Sequence, residues 1–165
     1  MSELFHGQSF NLLPHLVALA IAYFLALPIG WNREKAERSA GLRTFPLVAI
    51  ASCGVVQAAE RLTIGEPEAM ARIVEGIITG MGFIGGGAIL RMKESVKGTA
   101  TAASLWATGA VGVAVGLGSY DVAVMIAVAT IVTLWCFAPL KRQLGLDDQE
   151  DAQIGAHNGA RGGEE

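Results

Sequence analysis

Two long apolar runs, at residues 72–90 and 98–117, constrain most strongly what this chain can fold into. Both are rich in Gly, Ala, Ser and Thr, and a short basic segment, RMKESVK, joins them. Glycine disfavours a helix in water by roughly 1 kcal/mol relative to alanine. In lipid, however, small residues let helices approach closely while each backbone satisfies its own hydrogen bonds. The pattern predicts two closely packed membrane helices, connected on one side of a bilayer.

The scarcity of charged residues also separates this chain from water-soluble proteins. Only 16% of its 165 residues are charged and 52% are hydrophobic, whereas a soluble domain carries about 25% charged residues. The charges lie in short clusters between long uncharged runs. We therefore expect an all-α polytopic membrane protein, with one domain at residues 1–144 embedded in the lipid bilayer. Because no strongly basic segment stands out, nucleic acid is not an expected partner.

The uncharged runs divide into five predicted transmembrane helices, which would form a single bundle. Each run approaches the ~20 residues that cross the hydrocarbon core, and Pro28 is expected to kink or end the first helix. After the last run, residues 145–165 hold six acids and one base, which predicts a disordered acidic tail on the cytoplasmic side. The predicted spans cover residues 11–31, 44–60, 72–90, 98–117 and 122–138.

Lysine and arginine are concentrated in alternate loops. The loop after the first span holds four of them, the loop after the third span holds three, and the segment before the first span holds none. Such residues favour the cytoplasmic side of a membrane. We therefore expect the N-terminus outside the cell and the C-terminus in the cytoplasm.

Small residues recur every four positions in several predicted helices, a spacing that favours close helix packing in lipid. The run Gly85–Gly87 is unusual for an ideal helix, so we expect a local break or a very close helix crossing there. Small-residue faces can serve inside one bundle or between copies in a homo-oligomer, and the sequence leaves both open. The residues with this spacing include Ala18, Ala22, Ala26 and Gly30 in the first helix, Gly76 with Gly80 and Gly82 with Gly86 in the third, and Gly112 and Gly116 in the fourth.

The first candidate site is a charged corner between the first two spans. Arg33 and Glu34 follow the first span, and Arg43 and Thr44 begin the second. Gly41 would allow a tight re-entry of the chain, so that Arg43 could pair with Glu34 and close a polar pocket. The alternative is that these charges are solvated by lipid headgroups at the cytoplasmic side.

Two further candidates lie in the third and fourth spans. Glu75 is either one half of an interfacial i,i+3 pair with Arg72 or a cation or proton site within the membrane. The hydroxyls of Thr99, Thr101 and Ser104 stand near the start of the fourth span. They would either bond carbonyls freed by the triple glycine, as packing groups, or accompany an ion or anion at that helix N-terminus.

The residue types of catalytic and metal sites are scattered along the chain. His6, His15 and His157 lie far apart, and no cysteine or carboxylate stands at metal-ligand spacing from them. A hydrated magnesium ion would require one or two carboxylates, but the carboxylates near helix ends divide between the two predicted sides of the membrane. We expect no metal site, no cofactor and no catalytic residues.

Four stretches of the chain resemble the MgtC/SapB family of bacterial inner-membrane proteins, in the family's order and spacing. One departure lies in the first motif, where Asn32 stands at the first acidic position of the family's Gly-Leu-Glu-Arg-Glu. The four stretches are GWNRE at residues 30–34, AGLRTFPLV at 40–48, IVEGIITGMGFIGGGAIL at 73–90 and GTATAASLWATGAVGVAVG at 98–116.

The resemblance implies a five-helix membrane domain with a regulatory rather than a catalytic role. Characterised members support growth at low magnesium and survival inside macrophages, and one is described as restraining the F-type ATP synthase. Longer members carry an ACT-like domain after the fifth helix, so this chain resembles a short form with an acidic tail in that place. The residues assigned by resemblance to one cytoplasmic patch are Arg33, Glu34, Gly41, Arg43, Thr44, Gly85, Gly86, Gly87, Thr99 and Thr101, with Gly80, Gly82 and Trp106 assigned to helix packing.

Three functional hypotheses follow from these observations. The first is an inner-membrane regulator of magnesium or energy homeostasis that binds another membrane protein. The second is a cation transporter or channel subunit, which would need an aqueous path and therefore several copies of the chain. The third, a membrane enzyme, has the least support because no nucleophile–base pair is visible.

Overall fold

A computed structural model of the chain describes residues 12–35, 40–60, 62–91 and 96–143. Two short strands, β1 (Leu90–Arg91) and β2 (Val96–Lys97), pair antiparallel between the third and fourth helices. The predicted all-α fold is confirmed, and the tail predicted at 145–165 lies outside the described residues. The five helices are α1 (Leu12–Lys35), α2 (Thr44–Glu60), α3 (Pro67–Gly87), α4 (Thr99–Gly116) and α5 (Tyr120–Gln143).

Several helix ends differ from the predicted spans. Pro28 lies inside α1, which continues to Lys35 instead of ending near Trp31. A proline removes one backbone hydrogen bond, and the following residues continue the helix past that defect. α3 begins five residues before its predicted span, at Pro67, because proline suits the first turn of a helix, where its missing N–H has no intrahelical partner.

Three of the helices, α1, α3 and α4, are long and apolar enough to cross a membrane. The other two, α2 and the segment Tyr120–Cys136 of α5, are shorter apolar helices. α2 has 17 residues, which is at the lower limit of the ~17–25 residues that span a bilayer. A membrane protein built from five apolar helices is therefore consistent with every helix length.

α4 is the centre of the bundle and packs against each of the other four helices. Ten of its residues are buried, whereas α3 buries only Met81 and Gly85. Glycine, alanine, serine and threonine make up much of α4, and their small volume lets four neighbours surround one helix. α3 lies at the periphery, and its main packing partner is α4.

The crossing of α2 and α4 is close. A Cβ atom placed on Gly112 would overlap the carbonyl oxygen of Ala49 and lie 2.9 Å from the Cβ of Ser52. One turn later, a Cβ on Gly116 would lie 2.7 Å from the Cβ of Val56. Both glycines are therefore required by the approach of α2, because any larger residue would push the two helices apart.

The alanine stripe of α1 faces the same core. Ala18, Ala22 and Ala26 are buried together with Cys53 of α2 and Val111 of α4. Their spacing of four residues places them on one side of the helix. The small-residue face of α1 is thus used inside the bundle rather than on its surface.

The glycines of α3 do not make the close helix contacts that their spacing predicted. A Cβ on Gly76, Gly80 or Gly82 would meet no atom within 4 Å. Trp106, also assigned to packing, is 45% exposed. The physical reason is that α3 is peripheral and fully buries only Met81 and Gly85, so these three glycines lie outside the face that packs on α4 and α2. Met81 instead packs on Gly109 of α4, a contact that the sequence did not indicate.

Candidate functional site

A tight turn joins the end of α1 to the start of α2. The Glu34 carboxylate accepts a hydrogen bond from the backbone amide of Leu42, with 3.0 Å between the two atoms. Gly41 lies directly against this carboxylate, and a Cβ at that position would overlap it. Gly30 of α1 lies under the same turn, because a Cβ there would be 3.3 Å from the Gly41 oxygen. Two glycines and one carboxylate therefore hold this corner together.

Arg33 is the buried charge of this corner, with 7% of its surface exposed. Its Nε and Nη2 atoms donate to the side-chain oxygen of Asn32, at 3.2 and 2.6 Å. The residue that departs from the family's motif is thus a direct partner of Arg33. An amide oxygen replaces a carboxylate here, so this contact of Arg33 is with a neutral acceptor.

Arg43 does not take the place that the sequence suggested. It is exposed, and the described residues show no ion pair between it and Glu34. The Glu34 carboxylate instead accepts a hydrogen bond from the Leu42 amide. Thr44 is half-buried and begins α2, where its amide donates to the Gly41 oxygen at 3.0 Å.

A second corner lies where β1 and β2 connect α3 to α4. Gly98 precedes α4 with a φ of 92°, a left-handed conformation that favours glycine. A Cβ at Gly98 would also overlap the carbonyl oxygen of Ala88 at the end of α3. Above this contact, Gly85 packs on Ala102, whose oxygen would lie 3.3 Å from a Cβ at Gly85.

The triple glycine does not break α3. Only one of its three residues takes part in a close contact with α4. α3 continues through Gly87, and only Gly85 of the three is buried. Gly86 and Gly87 face open space, since a Cβ on either would meet no atom within 4 Å. The run instead precedes the end of the helix, where the amides of Ala88 and Ile89 donate to the Gly85 and Gly86 oxygens.

The hydroxyls at the start of α4 therefore find no free carbonyl in α3, contrary to the packing interpretation. Ser104 donates to the oxygen of Ala100, at 2.6 Å, within its own helix. Thr99 is exposed. Thr101 is only 2% exposed, and its Oγ1 atom has no hydrogen-bond partner within the described part of the chain.

The two corners lie at the same end of the bundle. Ile29, Phe45 and Leu105 form a buried cluster with Ala40 of the first corner, and Ala88 of the second corner packs against it. The structure therefore brings Arg33, Glu34 and Gly41 to the same end as Gly85 and Thr101. The remaining patch residues, Arg43, Gly86, Gly87 and Thr99, are on the exposed rim, with Thr44 half-buried.

Glu75 and Arg72 lie in the first half of α3, where both are exposed. Across residues 12–35, 40–60, 62–91 and 96–143, no three His, Cys, Asp or Glu side chains come together as a metal site. Arg33, Glu34 and Thr101 therefore remain the polar candidate residues that the described chain gathers at one end of the bundle.

Three residues of the site were not singled out from the sequence. Leu42 contributes only its backbone amide, and Ala88 only its carbonyl and its methyl group, so neither side chain signals a role. Gly98 could have been found, because a glycine directly before a predicted helix commonly marks a left-handed turn.

Comparison with known proteins identifies the family of the chain. Residues 19–143 match the MgtC family. SrpB of Synechococcus elongatus is 34% identical over 148 residues, which cover 82% of this chain and 78% of SrpB. MgtC of Salmonella typhimurium is 36% identical over 121 residues, which cover 73% of this chain and 50% of that protein.

A third relative is YhiD of Escherichia coli, whose assigned name proposes that it transports magnesium. It is 31% identical over 138 residues, which cover 78% of this chain and 63% of YhiD. The chain thus spans about half to four fifths of the lengths of these relatives. No solved structure matches the chain. The family match, together with the five apolar helices, leads to one conclusion: the chain is a membrane protein that belongs to the MgtC family.

Proposed function

We propose that this protein is a non-enzymatic regulator of the bacterial inner membrane that acts in magnesium or energy homeostasis by binding another membrane protein. The F-type ATP synthase is the partner that the family resemblance suggests. The link to magnesium comes from the same resemblance and from the name of YhiD. The closed core of the bundle is the observation that favours a regulator over a transporter.

The bundle interior is filled by side chains rather than by an aqueous path. Ala22, Ala26, Ala49 and Val111 are fully buried at the meeting of α1, α2 and α4. A cation path would require water, carbonyl rings or charged side chains along the axis. Apolar side chains in close contact supply none of these where α1, α2 and α4 meet, so the described part of one copy offers no such path there.

Two buried hydroxyls near the bundle centre, those of Thr108 and Ser52, are bonded within the protein. Thr108 donates to the Ser104 oxygen at 2.8 Å, and Ser52 contacts the Met81 sulfur at 3.8 Å. Polar groups that already have internal partners are poor ligands for a passing ion. They fit a rigid scaffold better than a conduction path.

The exposed face of α3 supports a role in binding another membrane protein. Gly76, Gly80 and Gly82 have no neighbour within 4 Å of a Cβ position, and Phe83 beside them is 87% exposed. Small residues on a helix surface permit the close approach of another transmembrane helix. The surface of α3 is therefore available to a partner as the protein stands.

Magnesium uptake into liposomes tests the regulator against the transporter. The purified chain is reconstituted with a magnesium-sensitive dye inside, beside empty liposomes and liposomes with a divalent-cation ionophore. We expect the dye signal of the chain to equal that of empty liposomes. Uptake above that level, lost in an Arg43→Ala variant, would establish transport and overturn the proposal.

Co-reconstitution with the F-type ATP synthase tests the partner. We expect the chain to slow ATP-driven proton pumping, and a Gly80→Leu variant on the open face of α3 to restore it. Ala129→Leu is the matched control, since it creates the same side chain at an exposed position of α5. Unchanged pumping in the presence of the folded wild-type chain would remove the ATP synthase as the partner.

A cation transporter is the second candidate, and the name of YhiD favours it. Because the described part of one copy offers no path where α1, α2 and α4 meet, this candidate requires a path between copies. The open α3 face would then lie at the interface between those copies rather than against a different protein. The liposome measurement separates the two candidates directly.

A further inference from the structure

The first turn of α4 carries backbone donors that the described chain leaves without acceptors. The first helical hydrogen bond of α4 runs from the Ala102 amide to the Gly98 oxygen, at 2.9 Å. The amides of Thr99, Ala100 and Thr101 come before it, and such amides have no acceptor within an α-helix. Gly98 at the N-cap position has no side chain with which to cap them. The positive end of the helix dipole coincides with these amides.

The hydroxyl of Thr101 is a second, independent donor at this place. The side chain is 2% exposed, and its Oγ1 atom lacks a partner among the described residues. Ser104 and Thr108 both donate to the carbonyl four residues earlier. For Thr101 that residue is Lys97, which belongs to β2 and not to the helix. Thr101 does not form the corresponding bond in the described chain.

The direction of this side chain and the local charge both favour an anion. Every Cα–Cβ bond of a helix tilts towards its N-terminus, so the Thr101 side chain leans towards the same end as the amides. The seven residues before Gly98, RMKESVK, contain three bases and one acid. The segment that directly precedes α4 in the sequence therefore carries a net charge of +2. Ile29 and Leu105 belong to the same buried cluster. Arg33 follows Ile29 by one helical turn, and Thr101 precedes Leu105 by one turn.

We propose that the start of α4, residues 98–101, binds a phosphate group through the amides of its first turn and the hydroxyl of Thr101. Phosphate presents several acceptor oxygens in a tetrahedral arrangement, which suits three amides and one hydroxyl better than a carboxylate does. At a membrane surface this group belongs either to free phosphate or to a phospholipid headgroup. The site is independent of the regulatory function proposed above.

Three variants of the full-length protein test the site. Thr101→Val has nearly the same volume and removes only the hydroxyl, whereas Thr101→Ser keeps it. Thr99→Val removes an exposed hydroxyl from the same turn and is the matched control. Because Thr101 has no partner among the described residues, we expect Thr101→Val to unfold in phosphate-free detergent at the wild-type temperature or above it. If the hydroxyl served only to stabilise the fold, its loss in Thr101→Val would instead lower the unfolding temperature.

Two measurements distinguish the sources of phosphate. The first is titration of each detergent-purified variant with inorganic phosphate at constant ionic strength, with chloride as the reference anion. The second is native mass spectrometry after exposure to phosphatidylglycerol, which counts retained lipid. In whichever measurement shows binding, we expect Thr101→Val to weaken it by about tenfold or more, as for the loss of a hydrogen bond to a charged group. Thr101→Ser and Thr99→Val should keep wild-type binding.

Each outcome decides the proposal. Loss of inorganic phosphate binding in Thr101→Val alone supports a site for free phosphate. Loss of retained lipid in that variant alone supports a headgroup site. Equal binding by Thr101→Val and wild type, or no binding of either probe by the folded wild-type protein, overturns the proposal.

Discussion

At the corner between α1 and α2, one carboxylate and one glycine depend on each other. The Glu34 carboxylate reaches the Leu42 amide at 3.0 Å only because Gly41, in contact with it, has no side chain. A hydrogen bond from a backbone amide to a carboxylate is stronger than one between neutral groups. This bond, rather than a pair of opposite charges, holds the entrance to α2.

Removal of the Glu34 carboxylate should destabilise the protein measurably. We expect Glu34→Ala to lower the free energy of unfolding by about 0.5–1.5 kcal/mol, a range suited to an exposed hydrogen bond. Glu34→Gln should lower the free energy of unfolding by less, because its amide oxygen can still accept a hydrogen bond from the Leu42 amide. Unfolding in detergent, followed by circular dichroism, measures both. Arg43→Ala is the control, and a loss as large as that of Glu34→Ala would mean that the ion pair suggested by the sequence exists after all.

At the level of elements, the same residue type has two roles in α3 and α4. Gly112 and Gly116 of α4 are covered by α2, whereas Gly76, Gly80 and Gly82 of α3 face outwards. The spacing of small residues is similar in both helices. Only the position of each helix, central or peripheral, determines whether a glycine is a contact or an open surface.

Alanine substitutions in the two helices should therefore have opposite effects on stability. Gly112→Ala places a Cβ against the Ala49 carbonyl, and we expect a loss of about 1–3 kcal/mol from overpacking. Gly80→Ala meets no atom within 4 Å and should be neutral or stabilising, by at most about 1 kcal/mol, through its helix propensity. Thermal unfolding in detergent compares the two. A large loss at Gly80 as well would show that its face is covered by another chain.

At the level of the whole molecule, the two ends of the bundle have different characters. One end carries the polar corners with Arg33, Glu34 and Thr101, packed around a single apolar cluster. The other end carries the α2–α3 connection, where Thr63 caps the end of α2 through the Ala59 oxygen at 3.0 Å. The distribution of Lys and Arg favours the polar end as the cytoplasmic one.

Labelling of introduced cysteines with a membrane-impermeant thiol reagent tests this orientation. Glu66→Cys and Arg43→Cys place exposed thiols at opposite ends of the bundle. Cys136, which is exposed, is first replaced by Ser, while buried Cys53 is retained. In intact spheroplasts we expect Glu66→Cys to react and Arg43→Cys to react only after permeabilisation. The reverse pattern would invert the proposed topology.

Much of the helical framework could be predicted from the pattern of apolar runs. The bounds of α2 match its predicted span, and those of α4 differ by one residue at each end. The candidate site was predicted less completely. One end of the bundle holds Arg33, Glu34, Gly41 and Thr101, as predicted. The predicted ion pair between Glu34 and Arg43, however, is not found in the described structure. A side-chain partner depends on the exact path of a turn, which residue types do not specify.

The amino-acid sequence alone determined that this chain forms apolar helices, that it belongs in a membrane, and which family it resembles. These properties depend on composition and on local spacing, and both are present in the linear chain. The tertiary structure was needed to show that α4 is central and α3 peripheral, that Glu34 binds a backbone amide, and that Thr101 is buried with no partner in the described part of the chain. Each of these depends on which distant segments lie against one another in space, and equal spacings of small residues are compatible with several such arrangements.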